Sequence, residues 1–340
     1  HGHHVDLATQ WSLPREGLLM SDQMIGYSSY LITLLTMVAI YGVMGLGLNL
    51  NWGVTGLFNV GIAGFFAIGA YTAAILTTEE TGKHIGGFDM PFWVGAIAAM
   101  ITSAILAWFV GKICIRLRSD YLAIATIGIA EILRLILKNE MWATNGARGI
   151  SNIPKPFESL GGLAGPLAFL ALVVGILIVV YVLLEKGQHS PWGRIMRAIR
   201  DNELAARASG KNVERLRLEA FIIGSSIMGL GGALSAHYFK FIGLEATEPL
   251  LTTFLIWVMM IVGGSGNNRG VLLGALIIWS LWSMSEMVIQ AFSLTGEFAV
   301  RVPYMRMFII GLVLNIVLQK YGQGILPERH PGGKDAQPKR

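Results

Sequence analysis

Leu163-Ala-Gly-Pro-Leu-Ala-Phe-Leu-Ala-Leu-Val-Val-Gly-Ile-Leu-Ile-Val-Val-Tyr-Val-Leu-Leu184 runs without a charged side chain, and Glu185-Lys186 then opens the longest polar stretch of the chain. Roughly 20 predominantly apolar residues in a helix cross a hydrocarbon core, so the run reads as a membrane span. Composition agrees. Of 340 residues, 54% are hydrophobic and only 14% charged, with a mean hydropathy of +0.59, whereas a soluble domain has roughly a quarter of its residues charged. The 42 glycines suit helices whose backbones approach closely in a membrane.

Working outward, the chain offers about nine such stretches by the same criterion: Met24–Met44, Leu57–Leu76, Phe92–Gly111, Tyr121–Leu137, Leu163–Leu184, Leu218–Phe239, Leu250–Val262, Val271–Ala291 and Tyr304–Leu318. The expected fold is an all-α polytopic membrane protein. Pro249 and Gly263 bracket the seventh stretch and leave it about 20 Å of helix at 1.5 Å per residue. A half-span, a re-entrant segment and a tilted helix all stay open for it.

Charge sets the expected orientation, because cytoplasmic loops collect Lys and Arg. Lys112–Asp120 holds Lys112, Arg116 and Arg118 against Asp120, and Glu185–Arg217 holds eight Lys and Arg against four acids. Both are read as cytoplasmic, as is the segment after the last span with Lys320, Arg329, Lys334, Lys339 and Arg340. Thr77–Pro91 and the N-terminal stretch are acidic and are read as outside. Nine crossings satisfy these assignments with the N-terminus out and the C-terminus in. The organisation expected is an extracytoplasmic segment 1–23, a transmembrane domain 24–320 with a cytoplasmic loop 185–217, and a cytoplasmic tail 321–340.

The net charge of +5 and pI near 9.3 follow from those loops rather than from nucleic-acid binding. Cys114 is the single cysteine, so neither a disulfide framework nor a thiolate metal site can be built. His1-Gly-His-His4 reads as a processed or engineered start, with a metal-binding cluster as the alternative; the stretch to Gln23 lacks signal-peptide patterning. Glu245 and Glu248 read as solvated or docking charges.

Within the long loop, Pro191 and Gly193 open a helix expected from about Pro191 to Ala208. Arg194, Arg197 and Arg200 recur along one face and Ile195 and Ile199 along another, which describes an amphipathic helix at the membrane surface. A lipid-headgroup anchor would use such a helix. Asp201, Glu203 and the small step Ala205-Ala206 with Gly210 four positions on suit a protein partner better. Ala205-Ala206-x-x-x-Gly210 resembles the cytoplasmic coupling motif of ATP-binding-cassette import permeases, with Leu204 in the position before the alanines and Glu203 one residue earlier. Arg197-Ala-Ile-Arg-Asp-Asn-Glu203 is similar to its form in the branched-chain amino-acid permease family.

Further blocks resemble that family in order. They are Gly45-Leu-Gly-Leu-Asn49 with Gly53-Val-Thr-Gly56 and Gly61-x-x-Gly64-Phe-Phe-Ala-Ile-Gly69-Ala-Tyr71, then Asp120–Thr126 with Glu131-Ile-Leu-Arg134 and Thr144–Gly149. Gly263-Gly-Ser-Gly266 with Gly270-x-x-x-Gly274, Arg306–Gly311 and Gly322-Gln-Gly324-Ile follow. The resemblance implies a permease subunit of an ATP-driven importer in a bacterial inner membrane, performing no bond chemistry. Its partners would be a second related permease, two cytoplasmic ATPase subunits, an extracytoplasmic substrate-binding protein and membrane lipid. No cofactor is expected in this chain, since it has no Gly-x-x-x-x-Gly-Lys-Ser/Thr phosphate loop; ATP and Mg would sit on the ATPases. The docking surface would be Arg194, Arg197, Arg200, Asp201, Glu203, Ala205, Ala206 and Gly210.

Two intramembrane features are candidates for the substrate path. Glu131 and Arg134 share a helical face and either pair with each other or meet a zwitterionic cargo. Asn49, Asn51 and Asn59 stand among the glycines of Gly45–Gly61, a pattern of either a broken helix exposing backbone or close glycine packing. Two rival functions are weaker. Gly263-Gly-Ser265-Gly266 with His237 matches an intramembrane serine protease turn, but the two residues belong at opposite ends of the spans. An ion-coupled secondary transporter could use Glu131 as its proton site, and would leave the long loop helix without a purpose.

Overall fold

The computed structural model describes residues 15–80, 82, 85–243, 249–291 and 297–328. The terminal histidines and Glu245 and Glu248 lie outside the described residues. Each of the nine apolar stretches overlaps a helix: α1 (Arg15–Asn49), α2 (Ile62–Thr77), α3 (Phe92–Cys114), α4 (Ser119–Asn139), α6 (Ala164–His189), α9 (Val213–Phe239), α10 (Pro249–Gly263), α11 (Asn268–Ala291) and α12 (Glu297–Lys320). Among the described residues four helices, α1, α3, α6 and α9, are long and apolar enough to cross a membrane. Short helices α5 (Met141–Thr144), α7 (Pro191–Asp201) and α8 (Glu203–Ala208) lie between them.

The centre of the bundle is α9. Its Gly229 and Gly232 are backbone contact points: a Cβ on Gly69 of α2 would stand 2.2 Å from the Gly229 carbonyl oxygen, and one on Gly232 2.2 Å from that of Phe66. Side chains larger than hydrogen cannot enter such crossings, so α1, α2 and α3 close around α9 with Met44, Phe65, Phe221 and Met228 in the core. Ser103 of α3 donates to the Phe65 carbonyl at 3.2 Å, and Ser226 of α9 to that of Met100 at 3.1 Å. The outer surface is apolar too. Ile97, Ile101 and Ile105 form an exposed stripe four residues apart on α3, the pattern of a lipid-facing side.

Two expected boundaries shift. The second apolar stretch begins at Leu57, but α2 starts only at Ile62, because residues 50–61 form the break described below. The expected single helix from Pro191 to Ala208 is two. Asn202 leaves the helical region (φ −154, ψ 95) and its side chain accepts from the Ala205 N–H at 3.0 Å, so it ends α7 and caps α8 as a side-chain acceptor at a helix start does. At the opposite end of the bundle, β1 (Ile150–Ser151) pairs antiparallel with β2 (Phe241–Ile242), tying the loop after α4 to the end of α9.

Candidate functional site

The long loop folds back on the end of the bundle. Ser190 caps α7, accepting from the Gly193 N–H at 3.4 Å, and Pro191 takes the first turn, where a missing N–H costs nothing. Gly193, Met196 and Ile199, spaced by three, are buried, while Arg194 faces outward, its guanidinium donating to the His189 carbonyl at 3.3 Å. Arg197 is half-buried and, among the described residues, forms no ion pair. In α8, Ala206 is buried against Ile199 and Val213, whereas Asp201, Ala205 and Gly210 are exposed. Gly210 has a left-handed φ of +76 with open space where a Cβ would stand, which lets the chain leave α8 and turn into α9.

Arg200 and Glu203 turn inward. Arg200 donates to the Gly53 carbonyl oxygen and pairs with Glu328 at 2.8 Å and Asp201 at 3.1 Å. Burial alone would lower the Arg200 pKa, but the Glu328 and Asp201 carboxylates outweigh it and hold it above the ordinary value. Glu203 pairs with Arg207 at 2.9 Å and with Arg217 of α9 at 3.0 Å. Of the eight residues expected to dock a partner, these two and Ala206 therefore brace the loop against the bundle. One exposed residue went unassigned: Leu204, 79% exposed, is an apolar side chain held out by α8 between Glu203 and Ala205. Its signal was present in sequence, as the one large apolar residue breaking an otherwise polar and small surface.

Residues 50–61 are a break, not a turn of regular helix. The chain widens into an i→i+5 turn at Leu50–Val54, Thr55 donates its hydroxyl to the Asn51 carbonyl at 2.5 Å, and Gly56 takes a φ of +71. Glycine packing is present as well, since a Cβ on Gly53 would stand 2.4 Å from the Gly266 nitrogen. Asn49 is bonded at both ends of its amide: the nitrogen donates to Asn268 at 2.9 Å and the oxygen accepts from the Gly266 N–H at 2.7 Å. Asn268 also accepts from Gln188 at 3.0 Å and donates to Glu185 at 2.8 Å, a buried polar cluster joining the ends of α1, α6 and α11. Asn59 caps the Gly61 N–H at 2.9 Å, and its carbonyl accepts from Trp257 at 3.2 Å. Trp257, Trp52 and Phe58 form an aromatic triad with centroids 4.8 to 5.5 Å apart, Trp257 meeting the other two edge-on.

Among the described residues, some buried polar atoms here have no partner: both side-chain polar atoms of Asn51, the amide nitrogen of Asn59 and the Ser225 hydroxyl. Asn51 points at α9 beside Ser225, its oxygen 2.2 Å from where a Cβ on Gly224 would stand. Such groups are costly when dry. Glu131 and Arg134 pair on α4, with Arg134 Nε donating at 2.9 Å and an Nη2 to Oε1 distance of 2.5 Å. A cavity of about 620 Å³ opens beside Trp52, Gly56, Arg200, Ser265 and Glu328.

The protease arrangement is not assembled. His237, near the far end of α9, has Nε2 3.2 Å from the Thr77 hydroxyl and Nδ1 2.8 Å from the Ala233 carbonyl, while Ser265 lines the cavity beside Arg200. No group of three or more His, Cys, Asp or Glu residues that could hold a metal occurs among the described residues.

The sequence family described as branched-chain amino acid transport system, permease component, matches residues 30–318. A high-affinity branched-chain amino acid transport system permease protein LivM of Salmonella typhimurium is 31% identical, with 88% of this chain and 71% of that protein covered. A probable LivM of Methanocaldococcus jannaschii is 27% identical, covering 85% and 91%. The LivH permease of Salmonella typhimurium is 22% identical, covering 76% and 86%. No solved structure matches. The match over most of the chain carries with it transport without enzymatic chemistry, and the chain belongs to the permease family of branched-chain amino acid transport systems.

Proposed function

We propose that this chain is the membrane permease subunit of an ATP-driven importer for branched-chain or related amino acids, in a bacterial inner membrane. The observation that carries the proposal is the family match together with α7 and α8, a braced surface helix pair whose outward side is left open. In this reading the chain crosses the membrane nine times, N-terminus outside and C-terminus in the cytoplasm, with segment 1–23 outside and residues 321–340 cytoplasmic. Of the two ATPase subunits, which hold ATP and Mg, one docks on Arg194, Arg197, Asp201, Leu204, Ala205 and Gly210, while Arg200, Glu203 and Ala206 brace that surface from behind. The relatives named LivM and LivH favour a pair of related permeases, and an extracytoplasmic binding protein would deliver the cargo.

The substrate path is assigned to the break and to α4. Unpaired amide and hydroxyl groups of Asn51, Asn59 and Ser225 can bond to a polar cargo or to water, and Asn49 holds the break in place. A charged group near a bilayer centre costs about 2.5–3.5 kcal/mol on insertion scales, so a Glu131–Arg134 pair with side chains 42% and 27% exposed is better placed against the second permease or the path than against lipid. The ion-coupled alternative leaves α7 and α8 without a purpose. Alternating access follows when ATPase closure displaces α7 and α8.

Reconstitution of the permease pair with its ATPases and binding protein in vesicles tests this. Leucine uptake that requires ATP, the ATPases and the binding protein is expected. Uptake persisting in vesicles without any ATPase would overturn the reading in favour of ion coupling.

A further inference from the structure

Three backbone segments meet beside α7: the break after α1, the turn between α10 and α11, and the segment after α12. Glycine permits the meeting. Gly264, Gly266 and Gly324 have φ of +122, +82 and +84, and a Cβ on Gly324 would stand 2.4 Å from the Gly264 Cα. The C-terminal segment is hydrogen-bonded along this seam, with Ile325 donating to the Val262 carbonyl at 3.0 Å and Leu326 to that of Gly263 at 2.9 Å. The Asn267 side chain then donates to the carbonyls of Leu326 at 3.3 Å and Pro327 at 3.2 Å. What this run of contacts delivers is one carboxylate. Glu328 meets Arg200 at 2.8 Å, the two side chains only 14% and 20% exposed, and the same guanidinium reaches the Gly53 carbonyl.

The three arginines of α7 are thus not equivalent. Arg194 binds back to the helix that precedes it, Arg197 forms no ion pair among the described residues, and Arg200 alone joins α7 to two other segments. Without Glu328 the guanidinium would keep only the Gly53 carbonyl and Asp201, and Asp201 is the next residue of α7 itself, which leaves the torsions able to swing the side chain into the adjoining cavity. A charge-assisted bond to a carboxylate is shorter and roughly twice as strong as a neutral one, and removes that freedom. We infer that Glu328 is a positioning residue of the coupling joint: it holds Arg200 on Gly53, so that a displacement of α7 reaches the break after α1 and the α10–α11 turn together. The inference rests on the ATP-driven reading above, and it makes residues 321–328 a working part of the permease rather than a tail.

Glu328→Gln removes the charge while keeping size and an acceptor oxygen. In the reconstituted complex it is expected to lower substrate imported per ATP hydrolysed at least about fivefold, the low end of ordinary coupling between sites, and Glu328→Asp is expected to retain more of that ratio than Gln does. Spin labels on Ser209→Cys and Gln323→Cys, in a Cys114→Ser background, read the joint directly. Their separation is expected to stay constant between nucleotide-free and ATP-bound complexes, and to change between them once Glu328→Gln is added. A ratio lowered by less than about fivefold, or a separation that stays constant in the variant, overturns the inference. If the unmodified complex shows no ATP-driven uptake, the import reading falls instead, and the label separation alone decides the joint.

Discussion

In the proposed nine-span topology, Glu131 and Arg134 of α4 show how much a single pair of side chains can be asked to do inside a membrane. Each ion alone is expensive there, and three residues apart on α4 they neutralise one another. Breaking a fully buried pair by removing one partner costs about 3–5 kcal/mol. The exposure of this pair lowers the expectation: Glu131→Gln should reduce the stability of the purified permease by about 2 kcal/mol, because it leaves the Arg134 charge without its carboxylate. The double variant Glu131→Gln/Arg134→Gln should recover most of that loss. Denaturant unfolding in detergent measures both, and a double variant no more stable than the single one would show that the pair is not the source of the effect.

Among elements, α7 and α8 depend on one residue for their shape. Asn202 interrupts what the pattern of arginines and apolar residues predicts as a continuous helix, and its side chain replaces the hydrogen bond that the Ala205 N–H would otherwise lack. With a continuous helix, Ala206 and Glu203 would rotate away from Val213 and Arg217, and the bracing of the loop against α9 would be lost. Asn202→Ala is expected to cost about 0.5–2 kcal/mol, the usual range for a lost N-cap. Faster hydrogen exchange at residues 203–208, with little change in α9, would locate that cost in α8; unchanged exchange would remove Asn202 from its role.

For the whole molecule, the charge asymmetry of the loops makes a topological prediction. In a Cys114→Ser background, Ser209→Cys should react with a membrane-impermeant thiol reagent only when the cytoplasmic side is opened. Leu160→Cys, on the structured loop after α4 where Leu160 is 57% exposed, should react from outside in intact cells; the reverse pattern would invert the orientation. Much of this architecture was legible in residues alone. Apolar runs report helices because hydrocarbon leaves a backbone no other partner than itself, so each of the nine stretches overlaps a helix, four of them among the described residues long and apolar enough to cross a membrane, while α1 and α12 begin nine and seven residues before the apolar runs that announce them. The candidate site was legible only in part. Spacing placed Arg194, Arg197 and Arg200 on one amphipathic helix, yet a helical face does not say which of its residues meets solvent and which meets the chain's own far end. That Arg200 is bound to Gly53 and Glu328, and that Glu203 is bound to Arg217, were decided by tertiary structure, since each depends on contacts between segments remote in sequence. The sequence by itself determined a helical membrane permease with a basic surface helix, through local hydropathy and charge. Only the packing of glycine-lined segments, which brings the break after α1, the α10–α11 turn and the C-terminal residues to one point beside α7, decided which of those charges are free to meet a partner.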